Sequence, residues 1–418
     1  MSDSSPTTGS RFGAMLFVLA LSAAAALTLL FTTVDPWLDK AGILAGGLDV
    51  HIYREGAWRL LHGHSLYADE TVGGLLYTYT PFSAIVFMPG LAVPAAWITD
   101  AFLLVNVGVL YACVLLCWRM LGYRMTPRIA SIAALLAITC LFLEPVRTTL
   151  FYGQINLVLM LLVLWDFSRP DASRTRGIGI GLAAGVKLVP AFFIVQFLAL
   201  RRWRAAATAT VALAATVALA WIVAPGESRQ YWFSTFFHAD RIAPETDPAN
   251  QSIRGVLAHL SGGSAPVWLW LLLAGVVTGA GLGIAVALYR RGERLLSVTL
   301  AGMTACAVSP FSWGHHWVWF VPLLVHLVHR AQARPGWWIA AAALFVATGA
   351  WTYQWTPDFA SVGVFVLPKP WHSEPILENA HVLVYAFAVL YALRVIWTVD
   401  RLQVRATPSI RMLDGSYT

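Results

Sequence analysis

The sequence predicts an all-α integral membrane protein with about 10 to 12 transmembrane helices and short interfacial helices in its outer loops. Hydrophobic residues make up 58% of its 418 residues and charged residues only 12%. The mean hydropathy of +0.68 is far above that of soluble domains. Apolar runs of roughly 20 residues, the length that crosses a bilayer, recur from Gly13 to Val399. No polar stretch between them is long enough to fold by itself, so residues 1–418 are expected to form a single transmembrane domain.

The charge and the cysteines exclude several other classes of protein. A net charge of +7 would suggest nucleic acid as a partner of a soluble chain. Here the Arg and Lys residues lie mostly in short loops between apolar runs, where they orient helices, so we expect no nucleic-acid binding. The four cysteines all lie inside apolar runs, which is typical of small core residues and not of a disulfide framework or a metal site. We therefore assign no metal-binding residue and no cofactor.

The first element is an apolar run from Gly13 to Phe31 that follows Arg11. It is longer than the core of a signal peptide, and no small-residue cleavage site follows it. We expect it to remain as the first transmembrane helix, with the amino terminus in the cytoplasm.

Basic clusters such as Arg119, Arg124 and Arg128 orient the later elements. By the positive-inside bias these clusters are cytoplasmic, and the loops between them face the periplasm. The chain is thus expected to be a multi-pass protein of the plasma (inner) membrane with both termini cytoplasmic. The predicted periplasmic loops hold nearly all of the unusual polar residues and comprise residues 33–80, which include an interfacial helix, 144–154, 225–266, 309–316 and 352–381.

Two apolar segments are predicted to be broken helices. Residues 177–200 have basic clusters at both ends and Lys187 and Pro190 at the centre, which favours two half-helices that return to the same side. Residues 81–98 contain Pro89 and Pro94 and are predicted to form a partial span.

Asp49 opens the first outer loop, directly before a helical pattern from Val50 to His62 that is typical of a helix on the membrane surface. Asp49 is either the N-cap of that helix or a general base, and one residue can be both. A carboxylate at the outer surface suits the removal of a proton from a sugar hydroxyl as its oxygen attacks a donor. If the leaving group is a phosphate, no second, acidic carboxyl is needed.

A departing phosphate needs cations or hydrogen-bond donors because negative charge accumulates on it. Lys187 lies in an apolar run, where a lysine costs roughly 3 kcal/mol and therefore usually has a partner or a function. Arg254 is a second candidate, although a solvated loop residue would show the same pattern. His315 and His316 are also candidates, with anchoring at the interface as the alternative. Adjacent helical side chains point about 100 degrees apart, so we expect at most one of the two to face the site.

Amide and aromatic side chains complete the set of unusual outer-loop residues. Gln154 and Asn156 stand at the outer end of an apolar run, where amides bind sugar hydroxyls or join helices. Tyr79 belongs to an aromatic segment, residues 77–82, that could stack on a sugar or a prenyl chain or anchor the protein at the interface. The residues alone leave these alternatives open.

Six segments, taken together and in order, resemble a known family. They are LDVHIYR, YTYTPF, YGQINLVL, GLAAGVKLVPAFF, NQSIRG and SPFSWGHHWVW, and they extend over most of the chain, from Gly47 to about Trp319. They are similar to the polyprenyl-phosphate-mannose-dependent mannosyltransferases of actinobacteria in the GT-C superfamily, glycosyltransferase family eighty-seven. The ordered set is much more specific than any one of its pieces, and it is most similar to members that extend phosphatidylinositol tetramannoside.

The resemblance implies a GT-C-type multi-span helical fold with a periplasmic active site. It implies a polyprenyl-phosphate-mannose donor, a phosphatidylinositol mannoside acceptor, and inversion at the anomeric carbon to give an alpha-(1,2) linkage. By similarity, Asp49 matches the catalytic base. Residues near the donor phosphate or sugar would be Lys187, Arg254, His315, His316, Gln251 and Asn250, and candidate acceptor or sugar contacts would be His51, Tyr53, Arg54, Tyr79, Gln154 and Asn156.

One departure from the superfamily concerns the acids of the first outer loop. Many GT-C enzymes carry paired acids there, whereas Asp49 is followed by no acid until Glu55, which leaves a metal requirement open. The alternative function is a flippase or transporter of a lipid-linked sugar, in which Lys187 and the outer acids would serve binding and gating. A third hypothesis is a noncatalytic scaffold, which the concentration of polar residues in the outer loops disfavours.

Overall fold

The computed structural model describes residues 8–33, 46–238, 243–356 and 359–406. The start of the first outer loop, residues 34–45, lies outside these ranges, as do residues 239–242 and 357–358 of two further outer loops and both chain ends. The predictions for those residues lie outside the described ranges.

The described chain is almost entirely helical, as the sequence predicts. Its helices are α1 Thr8–Thr33, α2 Leu48–His62, α3 Pro81–Phe87, α4 Ile98–Met120, α5 Pro127–Cys140, α6 Glu144–Tyr152, α7 Asn156–Ser168, α8 Ile178–Val186, α9 Phe192–Ala199, α10 Trp203–Val223, α11 Pro225–Phe233, α12 Ile253–Ser261, α13 Val267–Arg290, α14 Arg294–Val308, α15 Phe320–Ala333, α16 Trp337–Ala347, α17 Glu374–Leu377 and α18 Ala380–Ala406. Short 3-10 turns join several of them, including Met88–Ala92, Val189–Ala191 and Gly314–Trp317.

A small antiparallel hairpin adds to the helices. Its strands are β1 Thr352–Thr356 and β2 Phe359–Val362, and Thr352 pairs with Val362. The hairpin lies in the predicted outer loop 352–381, where no strand was expected from the sequence.

Five of the described helices, α1, α4, α10, α13 and α18, are long and apolar enough to cross a membrane. Large apolar side chains on them face outward, with Leu104, Ile222 and Phe387 exposed to 73%, 79% and 70%. Such surfaces are unfavourable in water and are suited to lipid, so the chain is a multi-pass membrane protein.

The number of spans depends on the helices that are shorter or bent. Helices α6 and α7 would form a sixth span if counted together, but they meet at a bend of 119°. The other short apolar segments are Pro81–Ala92, Pro127–Cys140, Val189–Ala199, Arg294–Val308 and Trp337–Ala347. The expected total of about 10 to 12 requires these short segments to cross as well and stays a prediction.

Both segments predicted to be broken are broken where their unusual residues lie. Helix α8 ends at Val186, Lys187 is extended with φ −144° and ψ 126°, and the 3-10 turn Val189–Ala191 leads into α9. Likewise α3 ends at Phe87, and a 3-10 turn that contains Pro89 follows it. The breaks are expected, since proline lacks an amide hydrogen and its ring obstructs the preceding helical turn.

The helix predicted for the first outer loop is present as α2, which begins before Asp49; its position at the membrane surface stays a prediction. Its N-cap is Gly47, which has a left-handed φ of 73°, and no side chain caps the helix there. The alternative in which Asp49 is an N-cap is therefore wrong. Asp49 lies in the first turn instead, and its helix packs on α3, α4 and the 3-10 turn Met88–Ala92.

Candidate active site

Asp49 lies where the start of α2 meets the end of α6. The amide of Gly47 donates a hydrogen bond of 2.7 Å to the carbonyl of Phe151, the penultimate residue of α6. Gly153, which follows α6 with φ 69°, passes so close to α2 that an added Cβ would lie 2.9 Å from the Cβ of Val50. Glycine at this position lets the two elements touch, and the contact brings Gln154 beside Asp49.

The Asp49 carboxyl lies within reach of a hydrogen bond from Gln154 and of the positive charge of Lys187. Burial raises the pKa of Asp49 from 3.8 to about 6, and the Gln154 hydrogen bond and the positive charge of Lys187 only partly oppose this rise. Helix α2 is not among the helices long enough to span a membrane, so Asp49 lies in a connecting segment. A carboxyl with this pKa is mostly ionised at neutral pH and binds a proton more tightly than an ordinary Asp.

Lys187 projects from the break between α8 and α9 into a polar cluster. Its Nζ lies 3.1 Å from Oδ1 of Asn156 and 2.8 Å from Nε2 of His316. It also faces the ring of Tyr79, with 5.5 Å between Nζ and the ring centroid. A charged ammonium can only donate, so Nε2 of His316 is the accepting, unprotonated nitrogen.

The two histidines have different positions. The 3-10 turn Gly314–Trp317 directs His316 to Lys187, whereas the ring of His315 is buried with no hydrogen bond to its Nε2. The backbone carbonyl of His315 accepts hydrogen bonds from Asn156 Nδ2 at 3.1 Å and from Thr149 Oγ1 at 3.4 Å. Helices α6 and α7 thus hold the turn so that His316 contacts Lys187. The expectation that at most one of the two histidines faces the site stays a prediction.

The loop that contains Asn250 and Gln251 supports the histidine turn through internal hydrogen bonds. The side chain of Asn250 accepts from the amide of Ser312 at 3.2 Å. The backbone carbonyl of Gln251 accepts from Trp317 Nε1 at 3.0 Å, and its side chain accepts from the amide of His381 at 3.0 Å. Both side chains are buried and hydrogen-bonded within the protein, so Asn250 and Gln251 support the histidine turn from outside the cluster.

Arg254 lies in the following helix, α12, and is occupied by other partners. Its guanidinium forms an ion pair with Glu245 and lies over the ring of Trp270, 5.3 Å from the centroid. Within the described ranges no contact joins Arg254 to Lys187 or His316. The structure does not bring this candidate to the cluster.

The remaining candidates lie on or beside α2. The hydroxyl of Tyr53 donates to Oε1 of Gln154 at 2.8 Å and lies 3.0 Å from the hydroxyl of Tyr79. His51 Nε2 lies 3.3 Å from Thr99 Oγ1 of α4. Arg54 lines a largely apolar cavity of 290 Å³ between α2, α3 and α4.

Sequence reasoning did not single out Thr99 or Tyr152. Thr99 lies at the start of an ordinary apolar helix, so no local pattern distinguishes it. Tyr152 lies within electrostatic reach of Asp49, but in the sequence it is only the first residue of the motif YGQINLVL. The described residues also contain no group of three or more His, Cys, Asp or Glu side chains placed to hold a metal ion.

A carboxylate beside a cluster of cationic and amide donors, in a multi-pass helical protein, is an arrangement that a membrane-embedded group-transfer enzyme can use. The model of glycosyltransferase family 87 matches residues 77–310, which is more than half of the chain. The chain therefore belongs to glycosyltransferase family 87, as the motifs indicate, and is a glycosyltransferase.

Curated relatives are similar over most of their length. A polyprenol-phosphate-mannose-dependent alpha-(1-2)-phosphatidylinositol pentamannoside mannosyltransferase of Mycobacterium tuberculosis (strain CDC 1551 / Oshkosh) is 34% identical over 377 residues, which cover 88% of this chain and 84% of the relative. A polyprenol-phosphate-mannose-dependent alpha-(1-2)-phosphatidylinositol mannoside mannosyltransferase of Mycolicibacterium smegmatis is 36% identical over 343 residues, which cover 74% of this chain and 75% of the relative. No solved structure matches the chain.

Proposed function

We propose that the protein transfers mannose from polyprenyl-phosphate-mannose to a phosphatidylinositol mannoside, with inversion and an alpha-(1,2) linkage, and that Asp49 is the general base. The names of the relatives supply the donor, the acceptor class and the linkage. The observation that supports the mechanism best is the Asp49 carboxyl, with a pKa near 6, beside the Lys187 and His316 pair.

The proposed step is a single displacement at the anomeric carbon. The acceptor hydroxyl gives its proton to the Asp49 carboxylate as its oxygen bonds to the mannosyl carbon. The bond between that carbon and the phosphate oxygen breaks, and the polyprenyl phosphate leaves with the electron pair. Lys187 lies where a cation can stabilise the growing negative charge, so no acid is needed to protonate the leaving group.

Both substrates are lipids, and the surroundings of the site suit them. The cavity of 290 Å³ is lined by apolar side chains such as Val86, Phe87 and Phe102, with Arg54 as its cation. In the proposal this cavity receives part of a hydrocarbon chain while Arg54 faces an anionic group. The site faces the periplasm, both termini are cytoplasmic, and residues 1–418 form one transmembrane domain.

The named relatives differ in the phosphatidylinositol mannoside that their names contain. The names of two of the four contain phosphatidylinositol pentamannoside, and those of the other two contain phosphatidylinositol mannoside. We propose the tetramannoside as the acceptor here. Purified protein incubated with the donor and phosphatidylinositol mannosides of different lengths, with products identified by mass spectrometry, will show which acceptor gains one mannose.

The variant Asp49→Asn tests the role of the base. We expect transfer to be lost with the fold intact, and the thermal midpoint at pH 8 to be unchanged or higher. The reason is that a carboxyl whose pKa is raised on folding destabilises the folded state at pH values above that pKa, and Asn removes this cost.

The control is Asp100→Asn, since Asp100 is also in the first turn of its helix but is exposed. That variant should keep wild-type transfer. Transfer by Asp49→Asn at the wild-type rate would refute the proposed mechanism. Movement of lipid-linked sugar without any mannosylated product would support a transporter instead.

A further inference from the structure

Two tyrosine hydroxyls hold the Gln154 side chain in place. Oε1 of Gln154 accepts from the hydroxyl of Tyr53 at 2.8 Å and from the hydroxyl of Tyr79 at 3.3 Å. The two hydroxyls are themselves 3.0 Å apart. Each hydroxyl has one hydrogen: that of Tyr53 goes to Gln154, so that of Tyr79 is shared between the oxygen of Tyr53 and Oε1 of Gln154.

The amide nitrogen of Gln154 must then face Asp49. With Oε1 occupied by the tyrosines, the group left to meet the carboxyl of Asp49 is the NH₂. The flipped amide would direct an oxygen at an ionised carboxylate, which only accepts hydrogen bonds, so both groups would lack a donor. The carboxylate therefore selects the NH₂ of Gln154, and the tyrosine hydroxyls donate to the amide oxygen on its other side.

Gln154 has little capacity left for a substrate. Its side chain is 3% exposed, and Tyr53 is 0% exposed. Their polar atoms are used within the protein, whereas a sugar contact needs free donors or acceptors at the surface of the site. This argues against the interpretation of Gln154 and Tyr53 as sugar contacts.

We propose that Gln154 is a positioning residue for the glycosyl transfer: held by Tyr53 and Tyr79, it binds one oxygen of the Asp49 carboxylate and directs the other to the acceptor hydroxyl. This inference rests on the proposed role of Asp49. When one oxygen of the Asp49 carboxylate is bound to Gln154, the other oxygen is the one that can accept the proton of the acceptor hydroxyl. A fixed position of that oxygen orients the hydroxyl for in-line attack.

The same hydrogen bond adjusts the charge state of Asp49. The groups that face Asp49 are Lys187 from the α8–α9 break, which favours the carboxylate, and the tyrosines Tyr53, Tyr79 and Tyr152 from three different segments. His51 lies on its own helix and is turned to Thr99. Among these partners Gln154 and Lys187 oppose the effect of burial, so loss of Gln154 should raise the pH at which Asp49 ionises.

The test is the pH profile of kcat for three variants. In Gln154→Leu, loss of a hydrogen bond to a charged group should move the acidic limb upward by about one pH unit. In Gln154→Glu, a second carboxyl beside Asp49 competes for the same proton, and the limb should move further in the same direction. The double variant Tyr53→Phe with Tyr79→Phe leaves the amide in place but frees its orientation, so its limb should move upward by less.

The matched control is Tyr77→Phe. The hydroxyl of Tyr77 is buried in the same aromatic group, with its ring 5.8 Å from that of Tyr79, but it bonds to Ser83 at 2.6 Å and not to Gln154. The acidic limb of the kcat profile of Tyr77→Phe should stay at the wild-type position.

If the acidic limb of the kcat profile does not move in the Gln154 variants and the KM for the acceptor rises, Gln154 is a sugar contact and the inference is overturned. If Gln154→Leu fails to fold, as judged by its thermal midpoint, the Glu variant and the tyrosine double variant decide. Asp49→Asn is measured alongside. Wild-type transfer by that variant refutes the base itself, whereas an inactive Asp49→Asn with unmoved limbs refutes only the role of Gln154.

Discussion

Burial of the Asp49 carboxyl determines the pH at which it can accept a proton. A general base must be ionised, so the proposed transfer is lost as the pH falls through about 6, the pKa of this carboxyl. A more exposed aspartate would be ionised at lower pH but would hold the transferred proton less tightly. The raised pKa therefore brings the proton affinity of the base nearer to neutral pH.

A second prediction for a single residue concerns the charge of Lys187. Replacement of Lys187 by Met keeps an unbranched chain but removes the charge beside His316, so kcat should fall by roughly 10²- to 10³-fold, as for loss of one preorganised donor. The control is Lys369→Met, since Lys369 pairs with Glu378 at 2.6 Å in an outer loop. Steady-state rates and thermal midpoints of both variants check this, and equal rates would remove Lys187 from the mechanism.

Some residues of the site can be recognised in the sequence and others cannot, for a physical reason. Asp49 and Lys187 are recognisable because a charge at a membrane surface or inside an apolar run is costly and calls for an explanation. The hydrogen bonds that define their surroundings join distant positions, such as Tyr53 with Gln154, 101 residues apart, and Lys187 with His316, 129 residues apart. No local sequence pattern encodes such pairs. Likewise, only the structure shows that Asn250 and Gln251 support the histidine turn.

At the scale of secondary-structure elements, the position of Lys187 depends on how α8 packs against α10. Gly177, Gly181 and Gly185 repeat every four residues along this segment, and each would bring an added Cβ within 2.3–2.4 Å of α10. Small residues at this spacing allow close approach of helices in a membrane. The contact holds the end of α8, and therefore the lysine that follows it.

The variant Gly181→Val tests this contact. The first added carbon would lie 2.4 Å from the Cβ of Ala212, so α8 must move away from α10, and we expect a thermal midpoint lower by several degrees and at least tenfold less transfer. In the matched variant Gly283→Val no atom lies within 4 Å of the added Cβ, although Gly283 is also inside a long apolar helix. Equal stability of the two variants would contradict the proposed packing.

Element boundaries were less predictable than element type. Proline and lysine at positions 187–190 predicted the break between α8 and α9, since both are unfavourable inside an apolar helix. Hydropathy gave no sign that α6 and α7 meet at 119°, because a bent pair and a straight span have similar composition. The hairpin at 352–362 is likewise a local pairing inside a segment for which the sequence predicted only an outer loop.

For the whole molecule, the proposed reaction requires that two lipid substrates reach one site from the same leaflet. The helices that would embed the protein expose apolar side chains over their length, and the candidate site lies among the connecting segments between them. We expect that end of the molecule to face the periplasm, since the basic loops that should be cytoplasmic lie at the opposite ends of helices such as α4.

Epitope insertions test this orientation. An epitope after Gly263, in the turn between α12 and α13, should bind antibody on intact spheroplasts. An epitope after Gly122, in the turn between α4 and α5, should bind only after permeabilisation, because the positive-inside bias predicts that Arg119, Arg124 and Arg128 hold that turn in the cytoplasm. The reverse pattern, with both proteins active, would place the site on the cytoplasmic side.

The four thiols at Cys113, Cys117, Cys140 and Cys306 are all buried. A polar maleimide reporter will therefore leave the native chain untouched and react only with a cysteine introduced at an exposed position. Two such positions, one on α2 and one beside the α8–α9 break, would carry a pair of spin labels without any native residue being replaced for the purpose. The separation of the elements that present Asp49 and Lys187 could then be measured in a lipid bilayer, with and without substrate.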